Sequence, residues 1–311
     1  MKKKLLLPIY LILSLVLIVC AVVMSLTRGI NLGVDFNGGK LIEIKLEENA
    51  NTAGYEKSIN EVLKKYNLSI DSATTQDRYT DSYYQFKINT KEISNEHKAS
   101  IKNEIATKLN IDAENISDVM NISGNVTQRT LINISIAVVC VFIVFMIAGI
   151  FRYGIMGGLS ILFTALHTMI INFALILITG LQINIPTIVS IVITSIFSLV
   201  IFALILEKVR EGKNKHHNEK TDKELFADAN KKSLTSTIII ASALVVFAIV
   251  SLFSSLAYIR LFALALIVCT MVAVYSANLI SVELASLLYT IKTDVDKQKL
   301  SKNVETKNHK K

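Results

Sequence analysis

Residues 162–179 read LFTALHTMIINFALILIT, an uncharged stretch whose single ionisable side chain is His167. The stretch belongs to a longer apolar run, Gly154–Thr179, and a membrane-spanning helix needs about 20 predominantly apolar residues. The run therefore predicts a transmembrane helix. Because an ionisable ring inside a membrane is costly, His167 is also a candidate functional residue.

Several more apolar runs of similar length accompany this one. The 311 residues are 52% hydrophobic with a mean hydropathy of +0.49, which is typical of a polytopic membrane protein and not of a soluble domain. The other runs are Leu5–Leu26, Thr130–Phe151, Ile185–Leu206, Leu234–Ile259 and Leu261–Val282. The sequence thus predicts an α-helical polytopic membrane protein with six transmembrane helices. The first run lacks a small-x-small cleavage site, which favours a retained signal anchor over a signal peptide.

Lys and Arg concentrate in segments that six crossings place on one side of the membrane. These segments are Lys2–Lys4, Arg152, the loop 207–233 and the tail 290–311. Basic loops stay in the cytoplasm, so both termini are predicted to be cytoplasmic and residues 27–129 to lie outside. The net charge of +8 then reflects topology and contact with the lipid bilayer, and nucleic acid is not expected as a partner. The chain is therefore predicted to divide into four parts. They are the cytoplasmic N-terminus with the first helix (1–26), the domain outside the membrane (27–129), a bundle of five transmembrane helices with the cytoplasmic loop 207–233 (130–289), and a basic cytoplasmic tail (290–311).

Residues 27–129 have a mixed polar sequence, unlike the rest of the chain. Alternation in KLIEIKL (Lys40–Leu46) predicts a strand, and apolar residues at helical spacing predict a helix over Ala53–Tyr66. Further strands are predicted near Ser69–Thr74, Tyr83–Ile88 and Ile116–Ile122, and a second helix over Ser94–Leu109. The order βαββαβ is typical of a small ferredoxin-like α+β domain.

Signals of catalysis or metal binding are missing from the sequence. Cys20, Cys140 and Cys269 lie within apolar runs and are expected to pack as small apolar side chains. No metal-ligand spacing, phosphate loop or nucleophile–base constellation is present, so neither a cofactor nor an enzymatic activity is expected.

Two rows of hydroxyl side chains recur at helical spacing in neighbouring runs. The rows are Ser160, Thr164 and Thr168 in one run and Ser190, Thr194 and Ser198 in the next. If the rows face each other, they form either a packing contact between helices or a hydrated proton path. His167 likewise allows two interpretations: a neutral packing residue, or a proton-active residue completed by a carboxylate from a partner, since 130–206 contain no Asp or Glu.

The segment RGINLGVDFNGGKLIEIKL (Arg28–Leu46) directly follows the first apolar run. Its double glycine allows a tight turn, and Asp35 could cap a turn or pair with Arg28. The segment resembles the G-x-N-x-G-x-D-F-x-G-G signature that follows the first span in the SecF family of bacterial protein-export membrane proteins, and in the related SecD. The matching signature residues include Gly33, Asp35, Phe36, Gly38 and Gly39.

Further segments resemble the same family in the same order along nearly the whole chain. They are GIFRY (Gly149–Tyr153), ALHT (Ala165–Thr168), Gly180–Ser198, EKVREG (Glu207–Gly212, with Glu207, Arg210 and Glu211), SLTST (Ser233–Thr237) and FALAL (Phe262–Leu266). The resemblance implies an RND-like arrangement of six spans in a bacterial plasma (inner) membrane. It also implies a SecD partner, association with the SecY/SecE/SecG channel, and use of the proton gradient to help draw unfolded polypeptide outward.

The chain departs from the family at several polar positions. Thr168 stands where the family has Asp, Val200 and Ile201 where it has Asn-Asp, Ser236 where it has Arg, and Leu261 where it has Asp. Proton conduction needs titratable or hydrated groups. Two functions therefore stay open: a SecF-like accessory subunit that assists export or membrane insertion with proton coupling, and a passive subunit that stabilises SecD and the channel without moving protons.

Overall fold

The computed structural model describes residues 6–46, 52, 54–78, 81–90, 92–124, 128–215, 220–254 and 257–308. Lys2–Lys4, residues 216–219 and residues 309–311, which contribute to the charge pattern above, lie outside these ranges. In chain order the elements are α1 (Leu6–Arg28), α2 (Val34–Asn37), β1 (Gly39–Leu46), α3 (Tyr55–Lys64), β2 (Ile70–Arg78), β3 (Asp81–Ile88), α4 (Asn95–Leu109), β4 (Met120–Ile122), α5 (Gln128–Thr179), α6 (Ile185–Lys215), α7 (Asp222–Leu252), α8 (Ala257–Tyr275), a π-helical turn (Ser276–Ile280) and α9 (Ser281–Asn308).

Five helical segments within the described ranges are long and apolar enough to cross a membrane. They are α1, α5, α6, α7 and the continuous segment formed by α8, the π-helical turn and the start of α9. The chain is therefore a membrane protein. The longest segment, α5, is two helices that meet at Gly154, whose φ of 79° and ψ of 174° are not helical. Glycine suits this position because a positive φ strains residues that carry a Cβ.

The helices extend beyond the apolar runs, which corrects the predicted boundaries. α6 continues to Lys215 and α7 begins at Asp222, so most of the predicted loop 207–233 is helical. α7 also ends at Leu252 and α8 begins at Ala257, instead of one run continuing to Ile259. Charged residues end an apolar run without ending the helical hydrogen bonding. For the same reason α9 continues to Asn308, through most of the predicted tail.

The segment between α1 and α5, which we call the outer domain after its expected location, forms a four-stranded antiparallel sheet in the order β2-β3-β1-β4. Its helices α3 and α4 lie between β1 and β2 and between β3 and β4 along the chain. Alternate residues of β1 are buried, and Ile44 and Phe86 pack in one apolar core with Leu63 of α3 and Ile105 of α4. The last strand is shorter than predicted, because Ile116 forms only an isolated bridge with Ile44.

The link between α1 and the outer domain runs beside the loop that connects α5 and α6 in the membrane bundle. Leu32, in the link after α1, bridges in parallel to Ile183, in the loop between α5 and α6. The amide of Gly33 donates to the carbonyl of Ile183 at 2.8 Å, and the amide of Ile183 donates to the carbonyl of Asn31 at 2.8 Å. We call this contact region the joint. It places the signature segment directly above the membrane bundle.

Candidate functional site: a hydroxyl network around His167

His167 lies on α5 with both ring nitrogens hydrogen-bonded to serine hydroxyls. Nε2 is 3.0 Å from Ser14 Oγ of α1, and Nδ1 is 2.8 Å from Ser276 Oγ of the π-helical turn. Phe163 stacks on the partly buried ring at 5.8 Å between centroids, and Tyr275 lies at 6.3 Å. Ser14 donates its hydroxyl proton to the Tyr10 carbonyl, so the neutral tautomer that fits this arrangement carries its proton on Nε2 and accepts from Ser276 at Nδ1.

The two serines are functional candidates that the sequence analysis missed. Ser14 is buried and donates to the Tyr10 carbonyl at 3.1 Å, which also accepts from the Tyr275 hydroxyl at 2.9 Å. Ser276 opens a π-helical turn, a local distortion that is frequent at functional sites. The available signal for Ser14 was a single hydroxyl in the middle of the first apolar run. Nothing in the sequence placed that hydroxyl beside His167.

The two predicted hydroxyl rows meet at one pair. Thr168 Oγ1 donates to Ser198 Oγ at 2.9 Å, whereas Thr164 Oγ1 donates to Ser281 Oγ of α9 at 2.7 Å. Both threonines are fully buried and also bond to carbonyls one turn earlier in α5. The first row therefore joins two different neighbours, α6 and α9.

The second row divides in the same way. Thr194 Oγ1 accepts from Asn172 Nδ2 at 2.9 Å, one helical turn beyond Thr168. Ser190 Oγ instead lies 3.0 Å from the carbonyls of Pro186 and Phe262, so it contacts α8 and not the first row. Asn172 was missed, although it continues the i+4 spacing of the first row. Its Oδ1 is buried with no partner among the described residues.

Apolar side chains occupy the two α6 positions for which the family resemblance implies Asn-Asp. Ile201 is fully buried in a cluster with Phe202 and Phe226, while Val200 is 43% exposed on the outer surface of the bundle. The network around His167 therefore consists of hydroxyls, an amide and the imidazole. Over the residues that the structure describes, no group of three or more His, Cys, Asp or Glu side chains could hold a metal ion.

Asp35 of the signature lies in the joint, 4% exposed. Its Oδ2 accepts from the amide of Ile185 at 3.1 Å and from the hydroxyl of Tyr258. It thus caps the start of α6 and, among the described residues, forms no ion pair with Arg28, the alternative that the sequence offered. Phe36 packs against the apolar cluster around Ile183.

The signature glycines allow backbone segments to approach closely. A Cβ on Gly38, which has a φ of +70°, would lie 2.6 Å from the carbonyl oxygen of Ile122. A Cβ on Gly39 would lie 2.3 Å from the carbonyl oxygen of Ile88. At Gly33 a Cβ would meet the Asn184 side chain at 3.1 Å. The backbone of the signature therefore approaches the sheet closely at Gly38 and Gly39, and the bundle closely at Gly33.

The predicted charged group at the end of the fourth apolar run is tied to the turn in α5. Glu207 accepts from Arg152 Nε at 3.2 Å and Nη2 at 3.0 Å, and lies 3.6 Å from Arg210. Glu211 pairs with Lys208 at 3.0 Å. The bidentate Arg152 pair connects the Gly154 turn with the end of α6.

This chain is similar to known membrane proteins of the protein-export machinery. Residues 101–291 match the family described as protein export membrane protein SecD/SecF, C-terminal. A protein translocase subunit SecF of Calditerrivibrio nitroreducens is 26% identical over 296 residues, covering 92% of both chains. A protein translocase subunit SecF of Sebaldella termitidis is 24% identical over 233 residues, covering 74% of this chain and 72% of the relative.

Solved structures show the same fold. A crystal structure of SecDF in a super-membrane-facing form aligns with a TM-score of 0.70 and 20% identity over 93% of this chain. SecDF of Thermus thermophilus, described as a translocon-associated membrane protein, aligns with a TM-score of 0.58 and 19% identity over 90%. This chain spans 38% and 37% of those two chains. The family match covers more than half of the protein, which therefore belongs to the SecD/SecF family of protein export membrane proteins, with SecF subunits among its relatives.

Proposed function

We propose that this protein is a SecF-like accessory subunit of the Sec translocase that acts with SecD to assist export or membrane insertion of proteins. The family match and the SecF relatives that span most of the chain support this role. Its further partners are then the SecY/SecE/SecG channel, the translocating unfolded polypeptide and the lipid bilayer. The role is not enzymatic and does not involve nucleic acid.

The topology that fits this role has six crossings in the bacterial plasma membrane. The break at Gly154 divides α5 into two crossings, and with the other four spanning segments these give an RND-like set of six. Both termini, the Arg152 turn and the basic segment 207–233 then lie in the cytoplasm. We also assign residues 27–129 to the ferredoxin-like class outside the membrane, supported by the strand order β2-β3-β1-β4.

The observation that carries proton coupling is the pair of contacts made by His167. Its two ring nitrogens bond to α1 through Ser14 and to the π-helical turn through Ser276. An imidazolium donates from both nitrogens, whereas a neutral ring donates from one and accepts at the other. Protonation must therefore reorient one serine hydroxyl. Since Ser14 donates to the Tyr10 carbonyl, the hydroxyl that must turn is that of Ser276, at the start of the π-helical turn between α8 and α9.

We expect His167→Ala to abolish the gradient-dependent stimulation of export. The measurement uses vesicles that contain this protein, its native SecD and the channel, with and without a proton gradient. The matched control is His97→Ala, which removes an exposed histidine on α4. Stimulation that stays unchanged in the His167 variant rejects proton coupling through this ring.

The passive alternative is favoured by the apolar side chain of Ile201 and by the His167 ring, which contacts hydroxyls and, within the described part of the chain, no carboxylate. A passive subunit would stabilise SecD and the channel equally well with alanine at position 167. Co-purification with the His167→Ala variant separates the two functions. If the variant retains SecD but loses the gradient-dependent stimulation of export, proton coupling is supported. If it retains both SecD and the stimulation, the passive role is supported. If neither SecD nor channel components co-purify, both functions are rejected.

A further inference from the structure

Two carboxylates that the His167 network does not use are buried together in the joint. Asp35 on α2 is 4% exposed and Asp71 on β2 is 5% exposed. Asp71 Oδ2 accepts from the amide of Val34 at 3.4 Å, so its carboxylate lies beside the residue that precedes Asp35. Carboxylates are seldom buried unless a charge partner or several hydrogen bonds compensate.

Both carboxylates connect the outer domain with the membrane bundle. Asp71, in the outer sheet, accepts from the side-chain amide of Gln182 in the α5–α6 loop. Asp35, in the signature, accepts from the amide of Ile185 in α6 and from the hydroxyl of Tyr258 in α8. Separation of the outer domain from the bundle would therefore expose the Asp71 carboxylate to water and break its bond with Gln182.

The charges around Asp71 do not neutralise it. Among the described residues, neither carboxylate forms an ion pair with Lys or Arg. The titratable groups that face Asp71 are Asp35 on α2, Lys87 on β3 and Tyr258 on α8. Burial raises the pKa of the Asp71 carboxyl above its ordinary value, and the charge of Asp35 adds to this effect. The hydrogen bonds from Gln182 and Val34 and the charge of Lys87 act in the opposite direction.

We propose that Asp71 is a proton-binding site in the joint, where a bound proton holds the outer domain on the bundle and its loss releases the domain. The ligand is the proton of the compartment that the outer domain faces. The site lies outside the His167 network, so it goes beyond the proposed function.

The way in which pH changes docking follows from the difference in the Asp71 pKa between the docked and released states. The docked state binds the proton more tightly than the released state, because Asp71 is exposed to water and titrates normally after release. Docking is therefore strongest at a pH below the ordinary pKa of an aspartate, about 4. It weakens as the pH rises through the higher pKa of the docked state.

Hydrogen exchange of the full chain in lipid nanodiscs tests this site. The reporters are the amides of residues 31–37 and 181–185, which include the backbone bonds between Gly33, Ile183 and Asn31. In wild-type protein their protection should fall as the pH rises, about tenfold for each unit by which the pKa is raised. Asp71→Asn fixes the neutral form, so its protection should stay high and independent of pH. Comparing variants at equal pH removes the intrinsic pH dependence of exchange.

Two further variants keep the test decisive. Asp118→Asn removes a highly exposed carboxylate of the same domain and should titrate like wild type. Asp35→Asn removes the negative charge beside Asp71, so the pH at which amide protection falls should be lower than in wild type. This variant gives a result even if Asp71→Asn does not fold. Wild-type protection that does not change with pH, or a transition that is unaltered in Asp71→Asn or Asp35→Asn, overturns the proposal. No readout requires SecD or export, so failure here is distinct from failure of the proposed function.

Discussion

Single glycines in the signature determine how closely the chain segments approach one another. Gly38 combines a positive φ with a neighbouring carbonyl, that of Ile122, so both backbone strain and lack of space exclude a side chain there. Gly54, which precedes α3, has a φ of +92° but open space around the missing Cβ. The two positions therefore separate strain from steric exclusion.

We expect Gly38→Ala to destabilise the outer domain more than Gly54→Ala does. Strain alone should lower the free energy of unfolding by about 1 kcal/mol in Gly54→Ala. The added contact with Ile122 should raise the loss in Gly38→Ala above about 2 kcal/mol. Hydrogen exchange of the β1 and β3 amides in the full chain measures both losses. Equal exchange in the two variants would mean that the close approach at Gly38 carries no cost.

At the level of residues, the sequence identified isolated polar positions but not their partners. His167 was recognisable because an ionisable side chain is rare in an apolar run. Ser14 and Ser276, its partners, are far away in the sequence. Their contacts depend on the rotation of each helix about its axis, which hydrophobic periodicity does not fix when a helix is apolar on all sides.

Helix ends depend on capping more than on apolarity, as α7 illustrates. The apolar run begins at Leu234, but the helix begins at Asp222. Thr221 and Glu224 form a reciprocal capping box, in which each side chain accepts from the other residue's backbone amide. The sequence Thr-Asp-Lys-Glu carries this signature, so the true start of α7 could have been predicted. Burial of Phe226 then anchors the first turns against the bundle.

We expect Thr221→Ala to fray the start of α7. Loss of the cap should cost about 1 kcal/mol, which corresponds to roughly fivefold faster exchange of the amides in the first turn. Hydrogen exchange of residues 220–227 measures the effect. The control is Thr235→Ala, an exposed threonine on the same helix, which should leave that turn unchanged. Unaltered exchange in Thr221→Ala would assign the stability of this helix end to packing alone.

On the scale of the whole molecule, local patterns predicted the parts better than their assembly. Alternation in Lys40–Leu46 predicted a strand that the structure places at Gly39–Leu46, because the strand period is a local property. The joint was not predictable in this way. Asp35, Asp71 and Gln182 meet through contacts over long sequence separations, and no local pattern encodes such contacts.

A further link across the joint is the ion pair between Glu56 at the start of α3 and Arg260 near the start of α8. The Glu56 side chain is 13% exposed, so water replaces its contact with Arg260 only poorly. We expect Glu56→Gln to weaken docking of the outer domain by about 1–3 kcal/mol. Because about 1.4 kcal/mol equals tenfold in an equilibrium constant, exchange of the amides of residues 31–37 should rise several-fold or more.

The chain offers a matched control within the same helix. Glu61→Gln breaks the pair between Glu61 and Lys108, whose side chains are both 49% exposed and which joins α3 to α4 inside the outer domain. Exposed pairs are well solvated and screened by salt, so we expect this variant to leave exchange in the joint unchanged at any ionic strength. If both variants loosen the joint equally, the effect comes from α3 as a whole. The Glu56–Arg260 pair would then not hold the outer domain on the bundle.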